Sequence, residues 1–310
     1  MIEITLKLKE RFCKDCNVPI RIFDEPYFME RIRLYDKFYG TVEKWNIFVE
    51  ELQKYSNEQQ YFEEYNRVKD TAINDIKTSE GYQNFNQLDM NRCSVKHAGL
   101  PSKDIFHPSN DGRIFISVDM KKANFSALHR YDPDIFDYAD TWEGFIRKYT
   151  DNKHIIVSKY IRQVILGNCN PRRHITYEKF LMDKVIDEIT DIIPEERIVF
   201  FSNDEIVYDM TDAVVGLNAL GIIEEVVTER LKDCLVPLKV SGFILKKIKG
   251  TNGYCKYFKD GTVEFKCLDN YILPFVIRAI LKEEVQENDK VFVHEGKLAK
   301  YIQVPKIEVK

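Results

Sequence analysis

Residues Arg113–Arg130 read RIFISVDMKKANFSALHR, and residues Arg197–Met210 read RIVFFSNDEIVYDM. In each stretch a short, nearly continuous apolar run ends on a carboxylate. Ile114, Phe115, Ile116 and Val118 lead to Asp119, and Ile198 to Phe201 lead to Asp204 and Glu205. Such runs are consistent with buried central strands. Ser202-Asn203-Asp204-Glu205 reads as a tight polar turn, and Ile206, Val207 and Tyr208 return as the second strand of a hairpin. Adjacent acids at the tip of an apolar hairpin are costly to hold as bare charges, and a divalent cation or full exposure relieves that cost. Because Asp119 offers a third carboxylate from a strand end, the pattern favours the cation.

Working outward, Ala123, Phe125 and Leu128 suggest a turn and a short helix packing back on the sheet. Residues 140–166 look helical twice, and Gly167-Asn168-Cys169-Asn170-Pro171 breaks the pattern. A long helix follows from about Arg172 to Thr190, with Phe180, Leu181, Val185, Ile186 and Ile189 on one face. Arg172, Arg173 and Lys179 occupy its first half, where cations oppose the helix dipole; bound anion would make sense of that placement. Beyond the hairpin a helix over Thr211–Asp233, a strand over Val236–Gly250 and a hairpin around Lys259-Asp260-Gly261 are expected. Tyr271–Leu281 reads as an apolar helix, and Lys290–His294 and Tyr301–Val309 read as short closing strands.

On the N-terminal side, Ile2, Ile4, Leu6 and Leu8 alternate like a short strand. Residues from Asp24 to about Ser79 carry apolar residues at three- and four-residue spacing, which predicts helices. Cys13 and Cys16 form a CxxC pair without a second ligand pair, so two ordinary thiols are expected rather than zinc. The order of elements predicts an α+β fold, helices backing an antiparallel sheet. Three regions are expected: a mainly helical 1–110, a sheet-bearing 111–250 and a small α+β 251–310.

Composition narrows the class. The 310 residues are 44% hydrophobic and 31% charged with net charge −4, an ordinary globular balance. That charge argues against passive coating of nucleic acid, which needs a cationic surface. Seven cysteines without frame-like spacing suit a reducing compartment. No run approaches the ~20 apolar residues of a membrane span. A cytoplasmic protein without a membrane partner is expected.

The layout resembles the palm of right-hand nucleic-acid polymerases. Asp119 resembles the motif A aspartate, the Gly167–Pro171 turn with its helix looks like motif B, and Asp204-Glu205 looks like motif C. The intervals, 48 residues from Asp119 to Gly167 and 37 from Gly167 to Asp204, are similar to reverse transcriptases. The Asp-Glu pair is more similar to family A DNA polymerases, whose larger fingers insertion has no room here. The resemblance spans roughly residues 110–250.

It implies a template-directed polymerase in which Asp119 and Asp204 bridge two Mg²⁺ or Mn²⁺ ions, about 3.5–4 Å apart. It further implies that the Met120 carbonyl and Glu205 support the metals. Gly167, Arg172 and Arg173, or Lys121 and Lys122, would meet the triphosphate. Lys246 and Lys247 would contact the primer backbone or donate a proton to pyrophosphate. Asn124 occupies the sugar-gating position with Phe125 just after it. Reverse transcriptases show two aspartates in motif C and an aromatic at the gate, so the choice of dNTP or rNTP stays open. The substrates implied are a nucleoside triphosphate and a primer/template, with a protein partner completing minimal fingers or thumb. A template-independent nucleotidyltransferase, a two-metal nuclease, and a non-catalytic palm that binds or assembles remain the alternatives.

Overall fold

The computed structural model describes residues 2–309. Five helices come first: α1 (Leu6–Asp15), α2 (Tyr27–Tyr39), α3 (Thr41–Leu52), α4 (Glu58–Thr78) and α5 (Glu80–Gln87). The segment expected as a strand over Ile2–Leu8 instead opens α1. Thr5 caps it by accepting from the Leu8 backbone N–H at 3.3 Å, and Leu8 and Phe12, one turn apart, are both buried. Period two at Ile2–Leu8 was an accident of a loop running into a helix. In α4 the buried stripe Tyr61, Tyr65, Val68, Ala72 and Ile76 has the spacing of one helix face.

Strand β1 (Ile114–Met120) follows, then α6 (Ala123–Tyr131), α7 (Trp142–Ile146), α8 (Lys153–Val157), α9 (Lys159–Gly167) and α10 (Pro171–Ile189). Pro171 sits in the first turn of α10, where its missing N–H costs nothing. The hairpin β2 (Ile198–Phe201) and β3 (Glu205–Asp209) leads through α11 (Gly216–Leu231) to β4 (Leu238–Lys247). Then come β5 (Tyr254–Phe258), β6 (Val263–Lys266), α12 (Leu273–Leu281), β7 (Val291–His294) and β8 (Lys297–Lys300).

Strands β1 to β6 form one antiparallel sheet in the order β2-β3-β1-β4-β5-β6. The protein is α+β. Its first four strands and their crossovers make a β-α-β-β-α-β unit, with β1 in the interior of the sheet. One face of the sheet presents Ile116, Val118, Ile206 and Tyr208 to Leu181, Val185 and Ile186 of α10 and Leu220 and Val227 of α11. The opposite face presents Phe115, Val207, Phe243 and Leu245, covered by Ile105 and Phe106. By strand alternation Ser117 and Asp119 belong to this second face.

The three expected regions are not three cores. Strands β5 and β6 continue the sheet past residue 250. Helices α1–α5 share a hydrophobic cluster with residues of α6–α9 and α12, including Phe125, Trp142, Ile161 and Ile277. Buried Arg31 of α2 donates to Asp289 Oδ1 at 3.1 Å and to the Asn288 and Val291 carbonyls at 2.9 and 3.2 Å. The strand that closes the C-terminal hairpin is β8, not Tyr301–Val309, which contributes a single bridge, Lys249 to Glu308.

Candidate functional site

Asp119 is the penultimate residue of β1 and lies directly opposite Glu205 of β3 and Lys239 of β4. Directly opposed residues of an antiparallel pair share a face, with Cα atoms about 4.5–5.5 Å apart. The Met120 N–H donates to the Asp204 carbonyl at 2.8 Å, clamping the hairpin tip against the end of β1. Two strands thus bring their terminal carboxylates together by register. Lys122, in the left-handed conformation (φ 51°), then turns the chain into α6.

The carboxylates open onto a cavity of about 410 Å³. Asp119, Asn203 and Asp204 form its sheet side, Lys122 and Asn124 its α6 side, Lys159, Arg162 and Gly167 its α9 side, and His174 and Glu178 its α10 side. Burial pushes the Asp119 carboxyl up to about 6, and neighbouring Glu205 and Asp204 push the same way. Glu178 is buried and pushed up to about 7, chiefly by desolvation; its Oε2 accepts from Asn203 Nδ2 at 2.9 Å, which opposes the rise. An acidic wall whose members resist ionisation together is a place where a cation gains stabilisation.

The cationic Arg162 and Lys159 and a neutral histidine share the cavity. Arg162 is half-buried with its Nε lacking any hydrogen-bond partner, and burial lowers its pKa, countered only by Glu143. Exposed Lys159 stands three residues before it on α9. His174 is 3% exposed with its Nε2 unpartnered, and burial drops its pKa to about 4. A half-buried arginine loses part of its hydration, and an anion placed beside it relieves that cost.

The structure brings together Asp119, Met120, Lys122, Asn124, Gly167 and Asp204 around this cavity. Other candidates stand elsewhere. The Glu205 carboxylate accepts from Ser117 Oγ at 2.5 Å and lies 3.8 Å from Lys256 Nζ, so it turns back along the sheet instead of lining the cavity. Phe125 is buried with its ring 4.6 Å from Phe136, a core residue rather than a stacking platform. Arg173 donates through Nη2 to the Phe85 and Leu88 carbonyls, which ties α10 to the end of α5, and it does not line the cavity. Arg172 is exposed at the helix start, and Lys121 is exposed beside β1; neither lines the cavity. Lys122 pairs with Glu143. Lys247 is eight residues along β4 from Lys239, the neighbour of Asp119. At about 3.3 Å per residue that is roughly 25 Å away, and its Nζ donates to the Thr251 carbonyl at 2.7 Å. Lys246 shares that distant end.

Sequence reading passed over Lys159, Arg162, His174 and Glu178. The signal for Glu178 was there: it interrupts the apolar face of α10, one turn after His174 and three residues before Leu181. Lys159 and Arg162 sit three apart, opposite the buried Ile161 and Ile165.

Among the described residues no three His, Cys, Asp or Glu side chains stand preformed around a metal position. The donor chemistry nevertheless fits a hard divalent cation, since Asp119 and Asp204 offer carboxylate oxygens at one rim. Cys13 and Cys16 are free thiols, and burial pushes Cys16 up to about 12. No helix among the described residues is long and apolar enough to cross a membrane. Comparison with family models, curated proteins and solved structures finds no match.

Proposed function

We propose that this chain is a palm-type nucleotidyl transferase that extends a nucleic-acid primer on a template, using Mg²⁺ or Mn²⁺. One observation carries the reading: Asp119 and Asp204, tied by the Met120 N–H to Asp204 carbonyl bond, line a single cavity together with Arg162 and Lys159. Phosphoryl transfer asks for that pairing, carboxylates to hold cations and basic groups to hold the phosphates between. The β-α-β-β-α-β topology, with one acid at the end of its first strand and another at its hairpin tip, supports a palm.

Asp119 and Asp204 would hold two divalent cations, which when bound acidify the attacking hydroxyl and neutralise charge on the phosphates. The chain's own groups do the rest. Arg162 and Lys159 bind the triphosphate from the opposite wall and draw the leaving pyrophosphate away from the acids. Their helix is anchored at its start by Ser158, which donates to the buried Asp15 at 2.9 Å, itself held by Tyr65 and His154. Asn124 lines the cavity with its Oδ1 accepting from the Phe125 N–H at 3.0 Å, so its amide N–H would be the group left to meet the sugar. With Phe125 in the core, no aromatic ring gates that position. Glu205 acts from outside the cavity, bonded to Ser117 and setting the charge beside Asp119.

Primer extension tests this. A labelled primer is offered DNA and RNA templates, each nucleoside triphosphate, and Mg²⁺ or Mn²⁺. Template-complementary extension that disappears in Asp119→Asn supports the reading. Untemplated addition or primer shortening would establish the transferase or nuclease alternative instead. The absence of any product under all conditions would overturn the enzymatic reading.

A further inference from the structure

A second cavity lies far along the chain from the carboxylates. It measures about 220 Å³ and is bounded by residues 19–22, the segment leading into α12, and β7. Its buried lining combines Ile20, Ile22 and Tyr35 with Arg31, whose guanidinium is held by Asp289 and the Asn288 and Val291 carbonyls. Its wall is aromatic. Tyr271, 42% exposed, packs on Phe292 with centroids 5.7 Å apart and ring planes tilted by 40°, and Phe292 is backed in turn by Tyr301 at 4.8 Å. The Tyr271 hydroxyl donates to Asp269 Oδ2 at 3.1 Å, which ties the ring to a second lining residue. Asp269 and Asn270 line the same cavity and place an acceptor and an amide side by side, and exposed Arg21 adds a cation.

Each feature limits the occupant. The volume is below the ~300–1,000 Å³ of ordinary ligand pockets, which leaves room for one ring system. The exposed Tyr271 ring offers a stacking face, and any base has a π-face to meet it. Neighbouring donor and acceptor groups suit the edge of a base, which presents both kinds together. A guanidinium beside an apolar slot suits the phosphate that travels with the base. An aliphatic peptide side chain would use the apolar lining but make no use of Arg21 and Asn270.

We propose that this cavity is a slot for one unpaired nucleobase of a bound single strand, stacked on Tyr271 and Phe292 with its phosphate on Arg21. The choice of a strand rests on the polymerase reading; the choice of a base with its phosphate does not. The slot gives the protein a hold on nucleic acid that is separate from the carboxylate cavity.

The test uses the full chain and a single-stranded DNA of about 12 nucleotides carrying 5-iodouracil, a length within the usual span of such sites. Photo-crosslinking followed by peptide mapping is expected to mark Tyr271 or Phe292. Fluorescence anisotropy with the same strand is expected to show Kd loosened about 5- to 150-fold in Tyr271→Ala, the range for losing one base stack. Tyr271 is a surface ring, so the variant should keep the wild-type melting temperature, and Arg21→Ala provides an independent variant on the other side of the slot. Crosslinks confined to other peptides, or an unchanged Kd in both variants, would overturn the proposal. So would adenosine monophosphate occupying the slot while the strand does not. Loss of the polymerase reading looks different: strand binding that depends on Tyr271 without primer extension.

Discussion

Asp119 and Glu205 are direct cross-strand partners, yet only Asp119 opens onto the cavity, because Glu205 is drawn back to Ser117 Oγ at 2.5 Å. The two acids therefore answer differently to neutralisation. Asp119→Asn and Asp204→Asn are expected to lower primer extension by about 10³-fold or more, the scale of losing several kcal/mol of charge stabilisation. Glu205→Gln keeps an acceptor for Ser117 and should lose less than about tenfold. Single-turnover extension rates for the three variants check this. Equal losses would show that Glu205 reaches the reacting groups.

Glu178 gives a pH-dependent stability. Its carboxyl ordinarily titrates at 4.5 and is raised to about 7 in the fold. Between those values the native state holds a proton that the unfolded chain has released, so stability falls as pH rises through the window. The loss is complete above about pH 7, on the order of 3 kcal/mol. Glu178→Gln removes it. The variant should melt several degrees above wild type at pH 8 without divalent ions, and the gap should close by about pH 4.5. Thermal melts across that range decide it; a gap independent of pH would assign the effect to packing.

Divalent ions should stabilise the folded chain through the same acidic wall. At a hundredfold excess over Kd, an ion that binds only the native state adds ~2.7 kcal/mol. Mg²⁺ or Mn²⁺ should raise the melting temperature of wild type, and Asp119→Asn with Asp204→Asn should abolish the rise. Because Asp119 titrates near 6, ion binding should weaken as pH falls below that value. Calorimetric titration at pH 5.5 and 7.5 measures the difference.

Two arginines on neighbouring helices should separate binding from folding. Arg162 lines the cavity, whereas Arg173 lies outside it and donates through Nη2 to the Phe85 and Leu88 carbonyls. Arg162→Ala should raise KM for the nucleoside triphosphate about 10- to 100-fold, the worth of a charge-assisted hydrogen bond. Its melting temperature should hold or rise. Arg173→Ala should do the reverse, lowering the melting temperature while KM stays near wild type. A KM effect from Arg173→Ala alone would exchange their roles.

What the sequence made legible was what repeats along it. Ile114–Val118 and Ile198–Phe201 are apolar runs too short for helices, so their strands, and the acids that end them, could be read directly. The turn at Asn170-Pro171 was legible for the same local reason. What stayed hidden depended on where side chains point once elements pack. Phe125 faces inward because α6 lies against Phe136, and nothing within residues 119–126 carries that fact. Arg173 is consumed by carbonyls more than eighty residues earlier. Lys247 is remote because β4 runs antiparallel to β1, which turns sequence proximity to the hairpin into spatial distance. Glu205 is withdrawn by Ser117, a partner on another strand. Each of these is a long-range relation, and periodicity contains none of it.

The bond between Arg31 and Asp289 joins residues 258 positions apart, and it sits inside the cluster that the N-terminal helices share with α12. During synthesis, helices α1–α5 therefore leave the ribosome long before the partners that cover them. At roughly 5–20 residues per second the wait is tens of seconds. Over that interval Phe28, Ile32 and Tyr35 of α2 have no α12 to pack against, and Arg31 has no carboxylate. The emerging chain is a natural client for chaperones that bind exposed apolar helices, and a truncated chain lacking the segment around Asp289 should aggregate while keeping every residue of the carboxylate cavity.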